Sequence, residues 1–480
     1  MSKALAMVRR RLNSHSPVIR KIPPEILIMI ASHFKLNAAI ITKATHVCHD
    51  WRVTLLSCPG LWTHPDFALE NQASLFLRRS EPLPIHVDLT KTFSSHYLIG
   101  LLCLHSTRVC TLRIGCFDGL HELFHQPLAS LRTLEVATPD EWFQAQAVRS
   151  TAREFVALVS LTVHNTGALG FRGSHITHLR IAIPHLASEV TQIPGLFRTC
   201  VLLEELEVEN ESGLESGLRL IPDEVIPLPH LRSFTQTLHC DKHMAGIIDN
   251  LHLPPSCSVV LRCVRDMVNG YPRPSLPDCR NTSYITNAKR AKVAYAEGHR
   301  GRKASVTFDF IGAGGTRFTA ITEFVNYAID LSDEGHTNLR VGLTMSGIEV
   351  LCLYGHKYVS LESYKSLTTL IISGPVVHLY LRSLEESELR DACESLHTFV
   401  LFVPPDPFMS SLVRRLLNIS HARAKAGLPF RTVTFAHPFE LAPDDLKVLE
   451  GLRGCVGRVE LLLGDDTLDW NLDKYFLNGL

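Results

Sequence analysis

A single short pattern recurs along this chain and restricts its possible folds more than any other feature. The pattern is an apolar residue, two variable residues, a second apolar residue, one variable residue and a third apolar residue. It occurs nine times where a β-strand would fit, with first residues Val109, Leu131, Leu158, Ile176, Leu203, Leu367, Leu396, Phe430 and Val456. Residues 231–234 are a partial tenth copy. Successive copies lie 18 to 28 residues apart in the first group and 26 to 34 in the second. Such spacing predicts repeats that stack, because one unit cannot bury its apolar face alone.

Helical stretches lie between many of these predicted strands. Residues 94–105 begin with a serine cap, residues 140–155 carry acids in the first turn, and residues 407–424 are long and amphipathic. A strand followed by a helix, repeated about every 25 residues, resembles a leucine-rich-repeat solenoid. Thr166 and Glu211 stand where the standard repeat has Asn or Cys, so we expect irregular turns. The predicted fold is α/β, with an irregular leucine-rich-repeat-like solenoid of alternating strands and helices; a plain α/β domain around a parallel sheet is the alternative.

The rhythm is interrupted at residues 241–366. Residues 265–304 show neither strand nor helix periodicity, and a strand is expected after them at 305–310. Between 289 and 303 six cations face one acid, Glu297; the cations are Lys289, Arg290, Lys292, Arg300, Arg302 and Lys303. We expect a basic, exposed loop or hinge over 265–304. Nucleic-acid binding is the weaker interpretation, because only Tyr284 and Tyr295 interleave with these cations.

Three short helices are predicted near the N-terminus. A proline pair at 23–24 suits the first turn of a helix, and apolar residues follow at helical spacing as far as Phe34. Asn37 can cap a second helix that starts at residue 38. A third helix is predicted over 44–55, before a Pro-Gly pair that breaks helices. An alternating strand is expected at 85–89.

Three segments in this region together resemble the F-box family. They are Ile-Pro-Pro-Glu-Ile-Leu at 22–27, Val-Cys-His-Asp-Trp-Arg at 47–52 and Leu-Trp at 61–62. Their order and separation match the family pattern. Two positions depart from it: Ile22 replaces the usual Leu, and His49 stands where Lys or Arg is common. The run Phe-Leu-Arg-Arg-Ser at 76–80 is similar to fungal, mushroom-type F-box proteins.

This resemblance implies docking on the Skp adaptor of a cullin–RING ubiquitin ligase. The residues implied in adaptor contact are Ile22, Pro23, Ile26, Leu27, Ile30, Val47, Cys48 and Trp51. The expected function is that of a substrate-recognition subunit, which binds an unknown target protein through the repeat-like domain. A repeat scaffold for protein–protein interaction, without a ligase, is the alternative. A generic helical hairpin whose apolar residues are simply core also stays open.

The expected domains follow from these patterns. They are a basic disordered lead-in at 1–19, an F-box at 20–65, a first repeat-like array at 66–264, a basic loop or hinge at 265–304 and a second array at 305–480.

The charge and apolar composition of the chain limit the classes of partner that it is expected to bind. Lys plus Arg and Asp plus Glu are equal at 48 each, so no overall field draws the chain to nucleic acid or anionic lipid. No window approaches the run of about eighteen apolar residues that a membrane span needs. The arginines at 9–11 are not followed by the apolar stretch of a signal peptide. We expect a soluble protein of the cytoplasm, the nucleus or both, with protein partners rather than membrane or nucleic acid.

No chemical motif is complete. The 13 cysteines include no CxxC pair, and His46, Cys48 and His49 lack a fourth metal ligand. The glycine-rich segment at 311–316 lacks the end of a phosphate loop, and Gly-Asp-Asp at 464–466 is typical of a turn. Because HExxH and GxSxG are also missing, we expect no catalytic residue, no metal, no cofactor and no enzymatic activity.

Overall fold

The computed structural model shows a mixed α/β protein with helices at its N-terminal end. It describes residues 22–90, 96–115, 120–137, 155–164, 174–183, 193–210, 225–238, 248–266, 288–296, 304–312, 315–325, 347–355, 361, 364–374, 377–385, 393–403, 409–437 and 441–463. The chain divides into two compact units. Unit 1 is Met1–Val208 with Ile226–His230, and unit 2 is Glu209–Val225 with Leu231–Leu480.

The N-terminal part of unit 1 is a helical module, residues 22–62. Its elements are α1 (Pro24–Ser32), α2 (Ala38–Ala44), α3 (His49–Leu56) and a 3-10 turn (Pro59–Trp62). The Asn37 side chain accepts a hydrogen bond from the backbone N–H of Ile40 at 3.1 Å, which confirms the predicted cap. The third helix begins at His49 rather than at residue 44, because Ala44 ends α2 and Cys48 is extended. Cys48 caps α3 through its Sγ atom, 3.5 Å from the Trp51 backbone nitrogen.

The module has a small core of its own, which extends to the next helix, α4 (Glu70–Arg79). Its buried members are Leu27, Ala31, Ala38, Ile41, Leu55, Leu61, Trp62 and Phe76. The Trp62 indole N–H donates to the Leu55 carbonyl at 3.0 Å. The Arg79 guanidinium lies over the Trp62 ring, 4.4 Å from its centroid. This core fixes which faces of α1 and α3 point inward.

The rest of unit 1 is a sheet of short strands with helices between them. Its elements are β1 (Ile85–Leu89), α5 (His96–Leu104), a 3-10 turn (Ser106–Arg108), β2 (Val109–Ile114), α6 (Leu120–Phe124), β3 (Thr133–Ala137), β4 (Ser160–His164), β5 (His178–Ile183), α7 (Ile193–Thr199), β6 (Glu205–Asn210) and β7 (Ile226–Pro227). The strand order is β1-β2-β3-β4-β5-β6. The pairs from β1 through β5 are parallel. All five copies of the first group are therefore strands, as predicted, and so is 85–89.

Burial along these strands alternates, as expected for a sheet with one face on a core. In β3, Leu134 and Val136 are buried, and their neighbours on the strand are half-buried. The same alternation holds in β4, where Leu161 and Val163 are the buried residues. The apolar positions of the repeated pattern therefore define the core face of the sheet.

Arg108 joins the sheet to the end of α4. Its guanidinium donates to the carbonyls of Leu83 and Leu77 at 2.9 and 3.1 Å, and to the Ser80 hydroxyl at 2.7 Å. The backbone N–H of His86 donates to the Thr63 carbonyl at 2.8 Å. These bonds attach the helical module to the first strand.

Unit 2 contains most of the remaining strands. Its elements are β8 (Ser233–Leu238), a 3-10 turn (Ile248–Asn250), β9 (Leu251–His252), β10 (Ser258–Asp266), β11 (Ala288–Ala296), β12 (Ala304–Gly312), β13 (Arg317–Val325), β14 (Val350–Tyr354), β15 (Thr369–Ser373), α8 (Val377–Glu385), β16 (Thr398–Phe402), α9 (Met409–Lys425), β17 (Thr432–His437), α10 (Pro443–Gly451), a 3-10 turn (Leu452–Gly454) and β18 (Arg458–Leu463). The order in its sheet is β8-β10-β13-β12-β11-β14-β15-β16-β17-β18. All four predicted strands of the second group are present, as β15 to β18.

The predicted loop over 265–304 is wrong for residues 288–296, which form β11. This nine-residue strand pairs with β12 on one side and β14 on the other. It alternates buried Ala291 and Val293 with the half-buried Arg290 and Lys292. Alanine is only weakly hydrophobic, so an alternation of alanine with basic residues does not show the strongly apolar pattern that predicts a buried strand. Residues 267–287 and 297–303 lie outside the described part of the chain.

The break in the repeat has a structural cause. Strands β11, β12 and β13, here called the meander, are nine residues each and pair antiparallel with one another. The other strand pairs of unit 2 with a described register are parallel. A further copy of the pattern, which the sequence analysis missed, begins at Ile348 and runs through Leu351 and Leu353. All three residues are buried in or next to β14.

The helix predictions differ in outcome. The stretch at 94–105 contains α5 (His96–Leu104), and the stretch at 407–424 is α9 (Met409–Lys425). The stretch at 140–155 falls almost wholly outside the described residues. None of the helices within the described ranges is long and apolar enough to cross a bilayer.

Candidate protein-docking surfaces

The helical module carries an apolar face on α1 that its own core does not cover. Ile26, Met29 and Ile30 lie at i, i+3 and i+4, so they share one side of the helix. Their exposed fractions are 44, 60 and 43%. Pro23, which precedes the helix, is also exposed. We call Ile26, Met29 and Ile30 the α1 face.

Exposed apolar side chains are concentrated in this module. Eight of the 18 strongly exposed large apolar side chains in the described residues lie between positions 26 and 53. Besides the α1 face they are Phe34, Leu36, Ile40, Val47 and Val53. Each would gain about 1.5–3 kcal/mol on full burial. A concentration of this kind is typical of a surface that a partner covers.

The eight residues implied in adaptor contact differ in accessibility. Pro23, Ile26, Ile30 and Val47 are exposed, and Ile22, Cys48 and Trp51 are half-buried. Ile22 and Trp51 pack against the module core. Leu27 is only 4% exposed and belongs to that core. Leu27 therefore supports the α1 face from the core side, and its implied contact with an adaptor stays a prediction.

His49, one departure from the family pattern, is exposed at the start of α3. Its Nδ1 atom lies 3.4 Å from a carboxylate oxygen of Asp50. Arg52 bonds instead within the module, where its Nε–H donates to the Thr45 carbonyl at 2.9 Å. The His49 side chain therefore lies on the surface of the helical module, whereas the Arg52 side chain bonds within it.

A second surface is the face of the unit 1 sheet opposite its core. Strand registers place polar residues of neighbouring strands side by side on this face. We call it the polar ladder, and its members are His86, Asp88, Thr111, Arg113, Thr133, Glu135, Ser160, Thr162, His178, Arg180, Glu205 and Glu207. Arg113 and Glu135 form an ion pair at 2.9 Å, and Arg180 and Glu207 form one at 3.7 Å.

The polar ladder was not singled out from sequence, although its signal is present. Apart from His86 and Asp88 in β1, its residues occupy the variable positions of the repeated pattern, on either side of the middle apolar residue. The apolar positions of the pattern give no information about these polar residues. The Nδ1 atom of His86 lies 2.9 Å from the Thr111 hydroxyl, and its ring stacks on that of His64 with centroids 4.4 Å apart. This histidine pair marks the end of the ladder next to the helical module.

The segments considered for catalytic or metal chemistry have structural roles where they are described. The Gly312 N–H donates to the Thr316 carbonyl at 2.9 Å and the Gly315 N–H donates to the Gly312 carbonyl at 3.0 Å, next to the antiparallel pairing of β12 and β13; residues 313–314 lie outside the described part of the chain. Burial raises the pKa of the Cys200 thiol to about 11 and that of Cys257 to about 12. These thiols stay protonated and weakly nucleophilic. Within the described ranges, no three His, Cys, Asp or Glu side chains cluster as metal ligands would. The Gly-Asp-Asp at 464–466 lies outside those ranges.

Comparison with protein-family models and with curated protein sequences yields no match for this chain.

Proposed function

We propose that this protein is the substrate-recognition subunit of a Skp–cullin–F-box ubiquitin ligase. In this proposal residues 20–65 are the F-box and bind the Skp adaptor, and the sheet domain binds a target protein. The sequence resemblance at 22–27, 47–52 and 61–62 suggests the family. The observation that carries the proposal is the α1 face, where Ile26 and Ile30 are both exposed and both among the residues implied in adaptor contact.

A leucine-rich-repeat-like domain accounts for the recurring strands. Each described copy of the pattern is a short strand, and most neighbours with a described register are parallel. Two units of the pattern lack the Asn or Cys of the standard repeat. Elsewhere an arginine donates hydrogen bonds to the carbonyls of a turn. Arg423 on α9 donates to the carbonyls of Cys393 and Leu396 at 3.2 and 2.7 Å, in the turn before β16. Buried carbonyls in such turns need donors.

The α1 face and the sheet surface have different roles in this proposal. The protein would contribute proximity and orientation, and the transfer chemistry would belong to other ligase subunits. The polar ladder suits recognition, because its charged side chains project from a rigid sheet. An interaction scaffold without a ligase is the competing function. A scaffold would also bind its partners through the sheet surface, but it would leave the α1 face without an assigned partner.

The deciding experiment measures adaptor binding with surface variants. The double substitution Ile26→Asp and Ile30→Asp should abolish co-purification with the Skp adaptor, because apolar anchors in such interfaces each contribute about 2 kcal/mol or more. Both side chains are well exposed, so the fold should survive. Leu104→Asp on α5 is the matched control, since Leu104 is 80% exposed outside the module.

Adaptor binding by the control but not by the double variant supports the proposal. Failure of the wild-type chain to bind any Skp adaptor would favour the scaffold. Unchanged binding by the folded double variant, checked by circular dichroism, would show that the α1 face is not the docking surface.

A further inference from the structure

The polar ladder of unit 1 is an open surface whose charges follow a regular order. All of its residues are exposed or half-buried. The side chains of Arg113, Arg180 and Glu207 are 53, 44 and 41% exposed. One of the two rows of the ladder carries most of the charge, and we call it the charged row. From β1 to β6 the charged row consists of Asp88, Arg113, Glu135, Thr162, Arg180 and Glu207.

The strand registers place neighbouring members of the charged row side by side. The parallel pairs from β1 through β5 align its first five members directly opposite one another. The ion pair between Arg180 and Glu207, at 3.7 Å, continues the row to β6. Taken in order across the sheet, the members are negative, positive, negative, neutral, positive and negative. The sign of the charge therefore alternates from strand to strand, apart from the neutral position at Thr162.

These charges also interact with one another and with their neighbours. Arg113 and Glu135 pair at 2.9 Å, and Asp88 accepts a hydrogen bond from the Thr90 hydroxyl at 2.6 Å. Exposed ion pairs are individually weak, so charges of a partner can join them without first separating a strong pair. The argument rests on the order of the charges along an open face and not on unpaired charges.

We propose that the charged row binds an α-helix that crosses the strands and carries one side chain of alternating charge per turn. Neighbouring strands are about 4.8 Å apart, and successive turns of a helix rise about 5.4 Å. Helix positions 1, 4, 8, 11, 15 and 18 share one face. They span about 25.5 Å, against about 24 Å for the charged row. Each strand of the row therefore meets one turn of the helix.

The other row of the ladder leaves room for this helix. Its central members are Thr111, Thr133 and Ser160, which lie side by side on β2, β3 and β4. Their side chains are short, so the backbone of a helix can approach the sheet beside the longer charged side chains. Their hydroxyl groups both donate and accept hydrogen bonds, which suits polar side chains on the flank of the helix.

The same features disfavour other classes of partner. An extended chain fits the row less well, because its side chains on one face are about 7 Å apart. Nucleic acid and anionic lipid would be repelled, because the carboxylates of the ladder outnumber its arginines. Those carboxylates belong to Asp88, Glu135, Glu205 and Glu207. The inference rests on the proposed function in that the helix would belong to the target protein.

The test is a titration of the full chain with labelled helical peptides, followed by fluorescence anisotropy. The matched peptide carries Lys, Glu, Lys, Ala, Glu and Lys at the six positions given above, within a helix of Ala and Gln. The scrambled peptide carries the same residues in the order Glu, Lys, Ala, Lys, Lys and Glu, so that four charges meet like charges. We expect the matched peptide to bind about tenfold more tightly. Equal binding of the two peptides would overturn the proposal.

A charge-swap variant locates the binding site. Arg113→Glu with Glu135→Arg keeps the net charge and the ion pair but reverses the order of two charges in the row. It should weaken binding of the matched peptide about tenfold. A peptide with its second and third charges exchanged should bind this variant more tightly than it binds the wild type. A merely structural role of the two residues cannot produce that rescue, so a folded variant without rescue contradicts the proposal.

The matched control is a swap of another cross-strand ion pair. Lys289 and Glu349 in unit 2 pair at 2.6 Å, and both side chains are 46% exposed. Lys289→Glu with Glu349→Lys should leave peptide binding unchanged, and an equal loss in this control would overturn the assignment. Circular dichroism checks the fold of each variant. If the first swap unfolds, Arg180→Glu with Glu207→Arg takes its place, and the rescuing peptide then has its last two charges exchanged.

Two further outcomes would contradict the proposal. Unchanged binding of the matched peptide after proline substitution at its centre, which breaks a helix, would assign the charged row to an extended chain. Self-association in sedimentation that is abolished by the Arg113 and Glu135 swap would assign it to a second copy of the chain. Peptide binding needs no adaptor and is measured separately from adaptor binding at the α1 face, so either proposal can fail alone.

Discussion

Trp62 and Phe76 pack edge to face, with ring centroids 4.7 Å apart and ring planes at 70°. Trp62 ends the helical module and Phe76 lies in the middle of α4, so this pair joins the module to the rest of unit 1. Both side chains are fully buried. Edge-to-face pairs contribute about 0.5–1.5 kcal/mol beyond the burial of their area.

Removing the Phe76 ring should therefore destabilise the module strongly. We expect Phe76→Ala to lower the free energy of unfolding by about 3–5 kcal/mol, as for other buried aromatic residues. Leu69→Ala, at an exposed position just before α4, should change it by less than about 0.5 kcal/mol. Urea unfolding followed by tryptophan fluorescence measures both. Equal effects of the two substitutions would mean that the junction does not depend on this pair.

The histidine pair should make the junction sensitive to acid. Burial, then the nearby His86 and Lys35, lower the pKa of His64 to about 4 from an ordinary value of 6.5. Burial and Lys35 also lower the pKa of His86. The folded state thus favours neutral rings, and the unfolded chain takes up protons first as the pH falls. The stability that the neutral His64 ring contributes is fully present above about pH 6.5, and it is lost as the pH falls from there toward about 4.

Thermal unfolding at pH 7.5, 6 and 5 measures this dependence. His64→Gln should flatten the decrease in melting temperature, because it removes one of the groups whose protonation favours unfolding. His96→Gln, at an exposed position on α5, should leave the pH profile unchanged. A wild-type melting temperature that is constant across this range would contradict the proposed role of the pair.

Gln236 is a buried amide whose replacement should stabilise the protein. It is 1% exposed on β8, and neither amide atom has a hydrogen-bond partner in the described part of the chain. A buried unsatisfied polar group costs about 1–3 kcal/mol. Gln236→Met keeps the length of the side chain and removes that cost, so we expect a gain of about 1–2 kcal/mol.

Gln72→Met is the contrasting variant for this prediction. The Gln72 amide donates to the Thr42 hydroxyl at 3.0 Å, so its replacement should destabilise the protein slightly. Chemical unfolding compares the two variants. Destabilisation by Gln236→Met would show that this amide bonds to something, such as an ordered water molecule.

The α1 face should limit the solubility of the chain. We expect the full chain expressed alone to be poorly soluble, because exposed apolar patches promote association. Co-expression with the Skp adaptor should rescue it. Ile26→Asp with Ile30→Asp should raise solubility without the adaptor, and Leu104→Asp should raise it less. Soluble, monomeric wild-type chain that ignores the adaptor would favour the scaffold function.

Much of the fold could be predicted from sequence because the repeated pattern fixes which side of each strand is apolar. The copies at Leu134 and Leu370, for example, each place buried residues on consecutive strands. The pattern could not predict β11, where alanines replace larger apolar residues beside Arg290 and Lys292. Such a strand becomes visible only through its neighbours in the sheet, which lie far away in the sequence.

The candidate site was predicted in part for a related reason. Ile26 and Leu27 are adjacent, and helical periodicity marks both as apolar without saying which one faces a partner. Packing of α1 against α3 and the module core decides it: Leu27 is buried and Ile26 is exposed. The polar ladder depends on strand register, which local sequence patterns do not specify.

The meander also fixes the relative directions of the strands on either side of it in the sheet of unit 2. Each antiparallel step reverses the direction of the chain, and the meander contains two such steps, β13 to β12 and β12 to β11. The reversals cancel, so β11 points the same way as β13 and can pair parallel with β14, as β13 pairs parallel with β10. An inserted block with an even number of antiparallel strands would present β14 with a partner of opposite direction. Only blocks with an odd number of strands can be gained or lost here while the parallel strands on both sides keep their orientation.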